Sequence, residues 1–107
     1  MKLARIDTIA DSLAPPMSLP YSYALARAHL DDIVLVDDDA ICAGLALLQE
    51  EARLAVEPAP AAAIAAAMGP LRERLAGKRV CLVICGANID AETYGRLLER
   101  GRRAPAG

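Results

Sequence analysis

The most apolar run of this chain ends in a small set of groups that could do chemistry. Val80-Cys81-Leu82-Val83-Ile84-Cys85 is followed at once by Gly86-Ala87-Asn88. Six apolar residues without alternation, bounded by Lys78-Arg79 and Gly86, read as a strand buried on both faces, the habit of parallel sheets. Open α/β sheets bind ligands beyond the carboxyl ends of their strands. Cys85 therefore stands where a cofactor or substrate would be met. The alternative is a buried structural cysteine at a strand end, a common place for that residue. Asn88 or Asp90 caps the helix that follows this turn. Other chemistry is poorly supplied. Cys81 and Cys85 share a face but lie about 13 Å apart at strand rise, too far to bridge. A single histidine, His29, and no CxxC pair leave no zinc set. Asp37-Asp38-Asp39 reads as helix capping rather than a metal site, because carboxylates at a helix start point in different directions. No metal is expected.

These groups must be positioned by a short series of elements. Leu3 to Pro16 reads as irregular, with turn and cap chemistry at Asp7-Thr8, Asp11-Ser12 and Pro15-Pro16. Tyr21 to Leu30 has helical spacing, with Pro20 suited to the first turn. Ile33 to Val36 reads as a short β-branched strand. A helix follows the three aspartates, carried by Ile41, Ala43, Leu45, Leu48 and Ala52. Another begins near Glu57-Pro58 and runs through the alanines to Met68, where Gly69-Pro70 stops it. Leu71 to Leu75 gives one more helical turn, and Asp90 caps a last helix over Ala91 to Arg100. Residues 101–107 read as a disordered tail.

The 107 residues allow one domain at most. Alanine supplies 23 of the 59 apolar residues, and the only aromatic residues are three tyrosines, so the core must come from close-packed Ala, Leu, Ile and Val, as in helices laid on a sheet. A net charge of −2 argues against a nucleic-acid surface and against a polybasic membrane patch. No apolar run approaches the roughly 18 residues of a membrane span, and the mixed start from Met1 to Asp11 does not read as a secretory signal. Three cysteines, an odd number, suit reduced thiols and a cytoplasmic location. Two short strands do not make a stable sheet alone, so the pattern predicts that sheet partners lie outside this segment. A dimer mate or a complementing N-terminal piece would supply them.

Three blocks carry a resemblance: Thr8-Ile9-Ala10-Asp11-Ser12-Leu13-Ala14, Val56-Glu57-Pro58-Ala59 and Val83-Ile84-Cys85-Gly86-Ala87-Asn88-Ile89-Asp90. In this order, with these intervening elements, they resemble the C-terminal third of a threonine/serine dehydratase. That family is pyridoxal-phosphate dependent and has the tryptophan-synthase β-like fold. The resemblance implies an α/β fold class: part of a parallel-sheet three-layer domain, helix-rich, with two strands in this chain, residues 1–100 forming the C-terminal portion of the catalytic domain. It implies pyridoxal phosphate as cofactor, a small amino acid as substrate, and β-elimination to a 2-oxo acid and ammonia. Cys85, Gly86 and Asn88 fall at cofactor-binding positions, with Cys85 at the ring nitrogen. Ser12, where many relatives have glycine, and Glu57 fall near the substrate.

The family's cofactor lysine and glycine-rich phosphate loop have no counterpart here. Lys2 and Lys78 have the wrong flanks, and no two of the seven glycines are adjacent. No catalytic residue is therefore assigned, and this segment is expected to be inactive alone. Ala87 replaces a usual glycine, which requires a negative φ there, and Pro60 replaces another. Gly86, Asn88 and Glu57 have plainer readings beside these: a strand-to-helix turn, a cap, and an acid at a helix start stabilised by the helix dipole. The ending after Arg100 leads one to expect the short form without a regulatory domain. A non-enzymatic α/β binding or interaction module, or a piece of a related racemase or lyase, accounts for the same blocks.

Overall fold

A computed structural model describes residues Arg5–Ala104. A single 3-10 turn, Asp11–Leu13, precedes five helices: α1 Pro20–His29, α2 Asp38–Ala52, α3 Pro58–Met68, α4 Arg72–Leu75 and α5 Ala91–Arg103. Most of their starts lie where local chemistry directs. Pro20 and Pro58 occupy first-turn positions of α1 and α3, where a missing N–H costs nothing. Asp37 caps α2 by accepting from the Ala40 amide at 2.8 Å, and Asp90 caps α5 by accepting from the Thr93 amide at 2.8 Å. α2 stops at Arg53, whose φ of 57° puts a non-glycine residue in the left-handed region, as helix-ending turns require.

The core lies where α2 crosses α3 and α5. Ile41, Cys42, Leu45 and Leu48 of α2 pack with Val56, with Ala61 and Ala65 of α3, and with Leu97 of α5. Two glycines set the spacing. A Cβ at Gly44 would lie 2.5 Å from Ile64 Cγ2 and 2.8 Å from the Ala61 carbonyl oxygen, and one at Gly101 would run into the Cys42 carbonyl. Alanines on α3 complete the close approach, so the aliphatic, ring-poor core follows from composition. Cys42 is fully buried in this core as a packing residue, and that burial pushes its thiol upward in pKa. Arg100 pairs with Asp39 at 2.6 Å and Arg102 with Glu50 at 2.9 Å; as exposed pairs they orient α5 more than they stabilise it.

Two expectations are corrected, and a third is not met among the described residues. Residues 101–107 do not begin as a disordered tail, since α5 continues to Arg103, held by the fit of Gly101 against α2 and by the Arg102–Glu50 pair. Residues 105–107, like Lys2 and Leu3, lie outside the described residues. The expected strands Ile33–Val36 and Val80–Cys85 form no ladder among the described residues. Val80–Cys85 is not buried on both faces either. Leu82 and Ile84 are half-buried, whereas Cys81 and Cys85 are exposed and Val83 is 74% exposed. Val34 and Val36 alternate in the same way with Ile33 and Leu35. The reason is one-sided coverage. Val36 and Ile84 pack on the helical core, but nothing among the described residues covers the other side or pairs with either edge.

Candidate functional site

The site is assembled from the start of α2 outward. With Asp37 serving as the cap, Asp38 is free to reach back along the chain. Its carboxylate accepts from Thr8 Oγ1 at 2.7 Å and from the Ile9 amide at 3.3–3.4 Å, while Thr8 Oγ1 accepts from the Ala10 amide at 3.2 Å. Ala10 is thereby seated in the core, and the 3-10 turn that follows presents Ser12. Reading the three aspartates as caps holds for Asp37 alone: Asp38 is a tether and Asp39 pairs with Arg100. The available signal was number, since one helix start needs one cap.

Ser12 Oγ donates to Glu57 Oε2 at 3.3 Å. Glu57 is the N-cap residue of α3, yet its side chain accepts nothing from the helix amides; its carboxylate faces Ser12 and Gly86 instead. The Glu57 amide donates to the Gly86 carbonyl at 3.2 Å, and a Cβ on Gly86 would lie 2.5 Å from Glu57 Oε1. Gly86 is thus required for space rather than for a positive φ, which it does not have. Ala87 also lacks a positive φ, as its side chain demands. A cleft of about 450 Å³ opens here, lined by Ile9, Asp11, Glu57, Asn88, Asp90 and Thr93 among others.

Of the residues singled out from sequence, Ser12 and Gly86 each contact Glu57, and Asn88 lines the adjoining cleft. Cys85 does not line it. Its thiol is exposed one residue before Gly86, out of step with half-buried Ile84 and Gly86. Lys78 lies elsewhere, in a groove with His29, Asp32 and Arg74. Asp11 and Thr93 were not singled out from sequence; only the fold brings them to the cleft. Among the described residues, no group of three or more His, Cys, Asp or Glu is placed to hold a metal ion, and no helix is long and apolar enough to cross a membrane.

Asp90 at the cleft edge has its carboxyl held below the ordinary range, first by the Thr93 amide hydrogen bond and then by the Thr93 side chain. A depressed folded pKa contributes stability at and above the ordinary carboxylate range, and loses it as pH falls through the lower folded value. Acid titration followed by circular dichroism should therefore show fraying at the α5 start only below that range, and the Asp90→Asn variant should lack this component.

What the cleft can do is hold a polar, planar ligand between the carboxylates of Asp11, Glu57 and Asp90, the Asn88 amide and an apolar wall at Ile9. Comparisons with known proteins narrow this. Residues 1–86 match the family model described as pyridoxal-phosphate dependent enzyme. The chain is 46% identical over 101 residues to a phenylserine dehydratase of Ralstonia pickettii, covering 94% of this chain and 31% of that protein. It is 35% identical over 94 residues to an L-threonine ammonia-lyase of Geobacter sulfurreducens, covering 88% of this chain and 23% of that protein. A serine racemase of Schizosaccharomyces pombe is 30% identical over 93 residues, covering 87% and 28% respectively. The chain spans less than a third of the length of each of these relatives.

Proposed function

Since this chain belongs to the pyridoxal-phosphate-dependent enzyme family, we propose that it forms the ring side of the cofactor site in a dehydratase of β-hydroxy amino acids, acting by β-elimination to a 2-oxo acid and ammonia. The family has the tryptophan-synthase β-like fold, of which the described residues are a helix-rich part. The observation that carries the proposal is convergence. Glu57 touches both Ser12 and Gly86, which come from segments remote in sequence, beside a cleft that Glu57 and Asn88 line. The dehydratase and ammonia-lyase relatives support the reaction class.

The residues fit the ring side of the cofactor. Gly86 lets the Glu57 carboxylate lie against its backbone at the cleft, Asn88 lines the cleft with an amide, and Cys85 offers an exposed thiol one residue before Gly86. When bound, pyridoxal phosphate supplies the electron sink for loss of the substrate's α-proton. Cys85 would meet the ring nitrogen, where a neutral thiol would leave that nitrogen less protonated than a carboxylate would. Glu57, held by Ser12, presents a fixed acceptor on the substrate side. The lysine and phosphate loop would come from the part of the catalytic domain outside this chain, in a cytoplasmic enzyme, so the 107 residues alone should produce no 2-oxo acid from serine or threonine.

A graft tests the reading. This chain replaces the matched segment of the Ralstonia phenylserine dehydratase, and the chimera is assayed for 2-oxo acid and ammonia from phenylserine, threonine and serine. Activity is the expected result, and racemisation without 2-oxo acid would favour the racemase alternative instead. Within an active chimera, Cys85→Asp should lower elimination by at least about tenfold and raise transamination, in line with a protonated ring. Cys85→Ser should stay close to the parent. Equal elimination in all three would remove Cys85 from the ring nitrogen.

A further inference from the structure

We infer that Ser12 and Pro60 are a pair of positioning residues acting on one group, the Glu57 carboxylate. Ser12 supplies it with a donor, and Pro60 withholds the helix amide that would otherwise claim it. The carboxylate is thereby kept at the cleft, with Oε1 open to a hydroxyl or ammonium donor of the ligand. The inference rests on the family reading above and assigns the residues that hold its substrate-side acceptor.

A carboxylate at the N-cap position ordinarily turns back onto its own helix. It accepts from the amide of the second or third helical residue, which satisfies an orphan donor of the first turn. Asp37 and Asp90 do this in α2 and α5, each reaching the amide three residues further on. The corresponding position in α3 is Pro60, and proline has no N–H. Pro58 removes another donor, so Ala59 alone among the first three residues of α3 carries an amide. Glu57 accepts nothing from it. Two prolines in the first turn thus leave the carboxylate without the partner that its counterparts in α2 and α5 use.

The freed carboxylate is fixed from the other side. Ser12 Oγ donates to Oε2 at 3.3 Å across 45 residues of chain. The turn that carries Ser12 is itself closed, by the Leu13 amide on the Ala10 carbonyl at 2.9 Å and by the Ala14 amide on the Asp11 carbonyl at 3.0 Å. Oε1 lies against Gly86, and no donor among the described residues reaches it. An ionised carboxylate accepts at both oxygens, so Oε1 keeps an acceptor position for a ligand. Glu57 lines the cleft together with Asn88, where a hydroxyl or ammonium group would meet that oxygen. Ser12 and Pro60 do not line the cleft and act only through Glu57.

The test uses both the grafted chimera and the 107-residue chain. In the chimera, Ser12→Ala and Pro60→Ala should each raise KM for phenylserine about fivefold, as loss of one ordinary hydrogen bond does, with kcat within about twofold of the parent. Ser12→Thr, which keeps a hydroxyl, should bring KM back toward the parent value. In a Glu57→Ala background neither substitution should move KM further, whereas a merely structural role would persist there. In the 107-residue chain, Pro60→Ala gives α3 an amide at residue 60. That amide should exchange at least about fivefold more slowly than in the double variant Pro60→Ala, Glu57→Ala, because the carboxylate now caps it. The Leu13 and Ala14 amides should exchange faster than in the parent in both Pro60→Ala and Ser12→Ala. Ser12 is exposed, so its variants keep the pair falsifiable should buried Pro60 not tolerate replacement. A chimera that makes no 2-oxo acid would sink the family reading, and exchange in the 107-residue chain would still decide the positioning. The pair is overturned if Ser12→Ala shifts KM equally with and without Glu57, or if exchange at residue 60 is indifferent to Glu57. Parent-like exchange at Leu13 and Ala14 in both variants overturns it too.

Discussion

Gly101→Val should unfold the helical core, whereas Gly95→Ala, one and a half turns earlier in the same helix, should stabilise it. A side chain at Gly101 meets the backbone of Cys42 and Ala43, while nothing lies within 4 Å of a Cβ at Gly95. Backbone cannot swing aside as a side-chain tip can, so α5 must lift from α2 and withdraw Leu97 from the core. Overpacking costs about 1–3 kcal/mol, and more where the obstacle is rigid. Valine also gains little of the helix propensity that alanine would. The expected loss is about 3 kcal/mol or more, a large share of the 5–15 kcal/mol typical of domains. Gly95→Ala should gain about 0.5–1 kcal/mol, because glycine in an exposed helix interior is that much worse than alanine. Urea unfolding followed by circular dichroism measures both. Similar stability in the two variants would mean that α5 does not sit as closely on α2 as described.

Asp38→Ala should detach the first site segment without melting α2. The carboxylate holds Thr8 and the Ile9 amide across 29 and 30 residues of chain, and hydrogen bonds to a charged group contribute about 1.5–3 kcal/mol. Local opening of residues 8–12 should rise about 10- to 150-fold, read as faster amide exchange at Ile9 and Ala10. Ser12 then loses its fixed approach to Glu57, so cofactor retention in the chimera should fall as well. Asp37→Ala is the matched control. It removes the α2 cap, worth about 1 kcal/mol, and should leave exchange at Ile9 unchanged. Equal effects from the two variants would return Asp38 to an ordinary role in the α2 start.

What the sequence could determine by itself was local. The starts of α1, α2, α3 and α5 were legible because Pro20, Asp37, Pro58 and Asp90 satisfy or dispense with amides within four residues of themselves. The stop at Gly69-Pro70 is equally short-range. The three blocks that marked the family were legible as an ordered set, although nothing local said that they meet. Tertiary structure alone decided which of several chemically equal groups does what. Asp37, Asp38 and Asp39 are identical in sequence, and only the position of Thr8 and of Arg100 separates cap, tether and ion pair. Ser12 and Glu57 became partners because the 3-10 turn and the start of α3 meet across 45 residues. The end of α5 moved from Arg100 to Arg103 for the same reason, since the last turn is held by α2 and not by a local cap. The run Val80–Cys85 marks the limit most clearly. Its apolarity encodes that both faces need cover, but the free energy of leaving water, about 25 cal/mol per Å², carries no address. Which element provides that cover is settled only by the chains that fold together, and the described residues provide one face of the two.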